Sequence, residues 1–181
     1  MADLLTDILL EDHKRVRELC KEMRSSCLSR GDEADEKMCF ETFRKLKALT
    51  QAHIRAEEYT VYAMFEEDED ENLASLRRAV LEGYEEHDLV DLLLKQMGQV
   101  EEVTPQWRAK LAVLADLLDW HMEREESQLL LKARDTIGPE EAHDLGIVYM
   151  RERDEIFSKR QGRRRPLSLE SLPPVSSGTN R

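Results

Sequence analysis

Four of the five histidines, His13, His53, His87 and His121, lie about 34 to 40 residues apart. Two of them open the same phrase, His53-x-x-x-Glu57 and His121-x-x-x-Glu125. In a helix, residues four apart share a face one turn apart, roughly 6 Å, so each phrase aims an imidazole and a carboxylate the same way. Mixed nitrogen and oxygen ligands suit iron, manganese or zinc. The repeat therefore points to a metal site assembled from four helices. No other chemistry competes with it: there is no phosphate loop or dinucleotide fingerprint, and Asp12-His13 has no serine or cysteine placed to be activated. A binding protein is expected rather than an enzyme.

The elements that must position these residues are almost wholly helical. Seven glycines and five prolines are few for 181 residues, and they gather at joints and near the C-terminus. A first helix is expected from about Asp3 to Leu28, ended by Gly31-Asp32, and a second from about Glu36 to Glu66, followed by the acidic run 66–71. A third covers about Asn72 to Val100. Thr104-Pro105 supplies an N-cap and a first-turn proline for a fourth, which continues to about Thr136 and stops at Gly138-Pro139. A shorter helix, Glu140 to Ser158, is expected to cap the bundle. The fold class is thus all-α, an up-down-up-down four-helix bundle over residues 1–158 with a short C-terminal extra helix. Residues 159–181, which include Arg163 to Arg165 and then a Ser, Pro and Leu mixture, have the composition of a disordered basic tail.

Each candidate ligand interrupts an apolar face. His13 fills the gap between Leu9 and Val16 in a stripe running Leu5, Leu9, Val16, Cys20, Met23, and His53 with Glu57 occupies the turns between Leu46 and Val61. His87 sits between Tyr84 and Val90, and His121 with Glu125 follows Leu118 on the way to Leu129. All four histidines fall near their helix midpoints, which lie at one height in an antiparallel bundle. Four imidazoles and two carboxylates should therefore converge in the core. Two buried, ionised and unpaired glutamates would cost several kcal/mol each, and a pair of cations removes that cost. His143, beyond the Gly138-Pro139 break, is read as a surface residue.

The phrases Asp12-His13, His53-Ile-Arg-Ala-Glu57-Glu58, Glu86-His87 and His121-Met-Glu-Arg-Glu125-Glu126 resemble the hemerythrin-like HHE cation-binding family over about Leu4 to Asp154. The resemblance implies two iron ions in a non-haem, carboxylate-bridged centre. Glu57 and Glu125 would be the bridges, with His13, His53, His87 and His121 as terminal ligands. It also implies a small-molecule partner, dioxygen or a relative such as nitric oxide or peroxide, or a role in handling iron. The oxygen-carrying members have a further histidine four residues before the third-helix histidine, where this chain has Gly83. One iron then has a ligand fewer, unless Tyr84, Glu82, Glu58 or Asp91 turns in. Two alternatives stand beside this reading. A di-iron oxidase would use paired E-x-x-H phrases, of which only Glu140-Glu-Ala-His143 occurs, and an iron-centre repair protein would carry a cysteine-bearing N-terminal region that this chain lacks. A metal-free helical interaction module would instead dock through the acidic run.

Bulk properties narrow the partners. A net charge of −12 with 36% charged residues repels nucleic acid and anionic lipid. No apolar run approaches the roughly 20 residues of a membrane span, and the N-terminal stretch lacks the order of a signal peptide. A cytoplasmic location is expected. Cys20, Cys27 and Cys39 are odd in number and form no C-x-x-C, so all three are expected as reduced thiols, Cys20 in the core.

Overall fold

The computed structural model describes residues 4–28, 33–66 and 70–160. Helix α1 is Leu4–Cys27. Helix α2 begins as Glu33–Glu57, passes through a π turn at Glu58–Tyr62 and ends with Ala63–Phe65. A 3-10 turn, Glu71–Leu73, leads into α3, Ala74–Met97. Helix α4 runs Pro105–Arg124, through a second π turn at Glu125–Leu129, to Leu130–Thr136. Helix α5 is Pro139–Arg160.

Local chemistry sets these boundaries. Asp70 accepts the Asn72 N–H at 2.9 Å, and Thr104 accepts the Trp107 N–H at 3.1 Å with Pro105 in the first turn. Ile137 turns extended after α4, and Gly138-Pro139 restarts the chain as α5. The two π turns follow Glu57 and begin at Glu125, so the same local widening occurs at both H-x-x-x-E phrases. In a π turn residue i+5 comes beneath residue i, which carries Tyr62 under Glu57.

In the bundle α1 packs on α2, α3 on α4, and α1 also on α4, while α5 lies against both α1 and α2. Gly146 permits that last approach, because a Cβ there would lie 2.9 Å from Leu4 Cγ and 3.0 Å from the Leu5 backbone nitrogen. The fifth helix therefore flanks the bundle along α1 and α2. Among the described residues there is no strand, and no helix is long and apolar enough to cross a membrane.

The apolar interior is divided in two. One cluster gathers Val16, Met23, Phe43, Leu94, Trp107 and Leu114 around a Trp107 ring set edge-on to Phe40 and Phe43 at 5.6 and 5.7 Å. The other holds Leu9, Val61, Phe65, Val80, Leu129 and Tyr149. Each fully buried side chain of this size stabilises the fold by about 1.5–3 kcal/mol relative to exposure. Between the clusters lies a layer of buried polar groups, and the candidate ligands are in it.

The cysteine expectation is corrected for two of the three thiols. Cys27, the last residue of α1, and Cys39, early in α2, form a disulfide with their Cα atoms 5.6 Å apart, and only Cys20 is free and buried. The helical hairpin itself brings the pair together across its turn, which neither the odd count nor the missing C-x-x-C registers. Residues 67–69 of the acidic run and 161–181 of the tail lie outside the described residues.

Candidate metal centre

The six predicted residues meet. Ligand atoms of His13, His53, Glu57 and Glu125 lie within 4.8 Å of one another, as do those of Glu57, His87, His121 and Glu125. Both glutamates belong to both groups, which gives two adjacent positions sharing two carboxylates. All six side chains are buried. Exposed His143, as expected, is elsewhere.

Every imidazole turns Nε2 inward and Nδ1 outward. His13 Nδ1 donates to Glu126 Oε1 at 2.9 Å, His87 Nδ1 to Glu58 Oε1 at 3.1 Å and His121 Nδ1 to Glu86 Oε2 at 2.7 Å, while His53 Nδ1 meets the Tyr149 hydroxyl at 2.7 Å. A carboxylate only accepts, so in each carboxylate-paired imidazole, when neutral, the proton is on Nδ1 and Nε2 keeps a lone pair for the centre. The outer acids are themselves held by arginines: Glu126 by Arg17, Glu58 by Arg55 and Glu86 by Arg124.

The inner atoms are left unsatisfied. His13 Nε2, His53 Nε2, both oxygens of Glu57 and Oε2 of Glu125 are buried without a hydrogen-bond partner. His13 Nε2 stands 3.3 Å from Glu125 Oε2 and His53 Nε2 3.6 Å from Glu57 Oε2, neither aligned as a hydrogen bond. His87 Nε2 and His121 Nε2 face each other at 3.1 Å. With both protons on Nδ1 these are two opposed lone pairs, an arrangement that needs a cation or a shared proton. Orphaned buried polar atoms cost about 1–3 kcal/mol each, and so many at one point fit a cation pair with nitrogen and oxygen ligands.

Electrostatics agree with that fit. Burial, then the Glu125 charge, pushes the Glu57 carboxyl well above the usual carboxylate range. Burial opposes the Glu125 charge as well, but His121, His13 and His87 outweigh it and hold that carboxyl well below the usual range. Burial lowers the His53 and His87 imidazoles, whereas at His13 the carboxylates of Glu125 and Glu126 outweigh burial and raise it. The His13 hydrogen bond pulls Glu126 down to about 2.

Gly83 has a partner that sequence reasoning missed. A Cβ at Gly83 would lie 2.7 Å from Tyr62 Cζ, so the Tyr62 ring takes the space that a longer side chain would need. That ring stacks on His87 with centroids 5.1 Å apart, and its hydroxyl donates to Glu125 Oε1 at 2.5 Å. None of the four suggested substitutes turns in. Tyr84 donates to Glu66, Glu82 pairs with Arg78 and Arg124, Asp91 pairs with Arg55 and Gln51, and Glu58 reaches only the outer nitrogen of His87. Beside Gly83 a small cleft of about 10 Å³, room for one water-sized molecule, is lined by Tyr62, Ala79, Glu125 and Gln128 and reaches His121.

The chain matches the hemerythrin HHE cation binding domain over residues 4–133. No curated protein and no solved structure matches it. With the match spanning most of the chain and every histidine of the family phrases in the buried layer, the protein belongs to the hemerythrin HHE cation-binding domain family.

Proposed function

We propose that this chain is a non-haem di-iron protein that binds or senses dioxygen or a related small ligand such as nitric oxide or peroxide, or handles iron. The observation that carries the reading is the set of inward Nε2 and carboxylate atoms with no partner among themselves. Glu57 and Glu125 would bridge, His13 and His53 would serve one ion, and His87 and His121 the other. The bundle with its flanking helix runs to Arg160, two residues past the expected boundary, and 161–181 would serve as a solubilising tail.

Bound ferrous iron would supply the electrons and Lewis acidity that such ligands need. The chain's own residues do the rest. The outer carboxylates fix the imidazole tautomers and raise their basicity as ligands. Val16, Val61, Leu114 and Leu118, all buried, exclude water from the layer. Tyr62 holds a proton on Glu125 Oε1, and the small cleft at Gly83 and Ala79, beside the Arg124 pair with Glu86, is where a small ligand would approach His121.

The test is metal analysis with an ultraviolet-visible spectrum of anaerobically reduced protein before and after oxygen. About two irons per chain and an oxygen-dependent charge-transfer band are expected from the bridged two-ion arrangement. Protein from iron-replete cells that carries no iron, and whose melting temperature is unchanged in chelator, would be the metal-free module instead.

A further inference from the structure

The ligands and the acids that meet their outer nitrogens correspond in position between the two halves of the centre, with one difference in type. Asp12-His13 on α1 matches Glu86-His87 on α3, and His53-x-x-x-Glu57-Glu58 on α2 matches His121-x-x-x-Glu125-Glu126 on α4. The outer contacts match too: His13 meets Glu126 as His87 meets Glu58. In the second half Glu86 accepts directly from His121 and is held by Arg124. In the first half the corresponding acid is Asp12, one methylene shorter, and it does not reach His53.

Tyr149 of α5 occupies the gap. Its hydroxyl is 2.8 Å from Asp12 Oδ2 and 2.7 Å from His53 Nδ1, and both Tyr149 and Asp12 are fully buried. A phenol has one hydrogen. The Asp12 carboxylate, bound by Arg153 Nη1 at 2.9 and 3.0 Å, can only accept, so that hydrogen goes to Asp12 and Tyr149 accepts from His53 Nδ1–H. The relay leaves the His53 lone pair on Nε2, aimed at the centre.

We infer that α5, which lies beyond the matched residues 4–133, completes the centre: Tyr149 and Asp12 are positioning residues that do together for His53 what Glu86 does alone for His121. The inference rests on the di-iron reading above. It makes the His13 and His53 position depend on α5 and leaves the His87 and His121 position independent of it. Loss of such an outer partner costs about tenfold to a hundredfold in metal affinity.

The experiment loads the full chain with ferrous iron anaerobically and follows release to a coloured chelator, with circular dichroism of the apoprotein as the folding control. Wild type should hold two irons. Y149F should fold and release one of them about tenfold to a hundredfold faster, the other at the wild-type rate. Adding D12E to Y149F should restore slow release, because the longer acid then meets His53 as Glu86 meets His121. Y84F, which removes a tyrosine hydroxyl bonded to Glu66 away from the centre, should change nothing. A wild-type chain without two irons overturns the di-iron reading and this inference with it. Two irons in wild type, with Y149F releasing both at wild-type rates or both equally faster, or with D12E giving no rescue, overturns this inference alone.

Discussion

Replacing Glu57 with methionine separates what the site costs the fold from what a cation returns. Glu57 is fully buried, and neither carboxylate oxygen has a hydrogen-bond partner. Burial and the neighbouring Glu125 charge disfavour its ionised form, so the metal-free chain carries at least the penalty of a neutral buried polar group, about 1–3 kcal/mol. Methionine has nearly the same length and shape without the polar atoms. For a chain of this size 1 kcal/mol moves the melting temperature by about 2–4 °C. Metal-free E57M should therefore melt about 3–9 °C above metal-free wild type. Ferrous iron at about a thousand times its dissociation constant stabilises wild type by about 4 kcal/mol, or roughly 12 °C, and should barely move the variant, which lacks a shared carboxylate. The order of the two proteins inverts on adding metal. Anaerobic differential scanning fluorimetry with and without iron reads all four states. An apo E57M less stable than apo wild type, or one that keeps the full iron shift, would refute the assignment of Glu57 as an uncompensated inner carboxylate.

Other outcomes follow from the same geometry. G83A should lose about 1–3 kcal/mol in urea unfolding, because the new Cβ displaces the Tyr62 ring; in a Y62A background the penalty should vanish, and additive losses would show that the two residues do not share the space. The metal-free chain should lose stability as pH rises above about 6.5. There the unfolded histidine has released its proton while folded His13, raised, holds its own longer, and the raised Glu57 acts in the same sense from the ordinary carboxylate range upward. Lowered His53 and His87 act in the opposite sense only below that pH. Iron-loaded protein should instead be flat above about 6.5, since the ions replace those protons and the unfolded chain holds none either, and should lose stability as pH falls below it; melting curves from about pH 5.5 to 8 check both trends. Reducing the Cys27–Cys39 bond, which closes a loop of 12 residues, should cost about 3 kcal/mol in guanidinium unfolding, and no change would place the bond outside the folded state's constraints.

The helices and the polar layer were legible because histidine and glutamate are conspicuous where an apolar stripe should continue. His13, His53, Glu57, His87, His121 and Glu125 announce their faces by type, and Thr104-Pro105 announces a helix start. The outer partners were not legible. Tyr149 reads as one more apolar residue of a final helix, and nothing in its neighbours says that its hydroxyl reaches His53 across the bundle. Tyr62 was hidden for a different reason: a 3.6-residue period puts it off the face of Glu57, and only the π turn brings it beneath. The significance of Gly83 lay in a residue from another helix. Glu58 was offered only as a substitute ligand, and Glu86 and Glu126 only as neighbours of the ligands, yet each meets the outer nitrogen of an imidazole while an arginine holds it.

The missing methylene at Asp12 also bears on how little chain such a centre requires. The hairpin of residues 74–136 carries an imidazole from each helix, one inner carboxylate, and in Glu86 and Glu126 the acids for both kinds of outer contact. Two copies of it placed face to face would repeat the imidazole contacts to Glu86 and Glu126, although Arg17 and Tyr62, which hold Glu126 and Glu125, come from the other hairpin. Two copies of the first hairpin would not repeat both kinds of contact, since each Asp12 would stop short of its His53 and leave a buried N–H without an acceptor. The fifth helix is in this sense a repair, needed by one half of the centre alone.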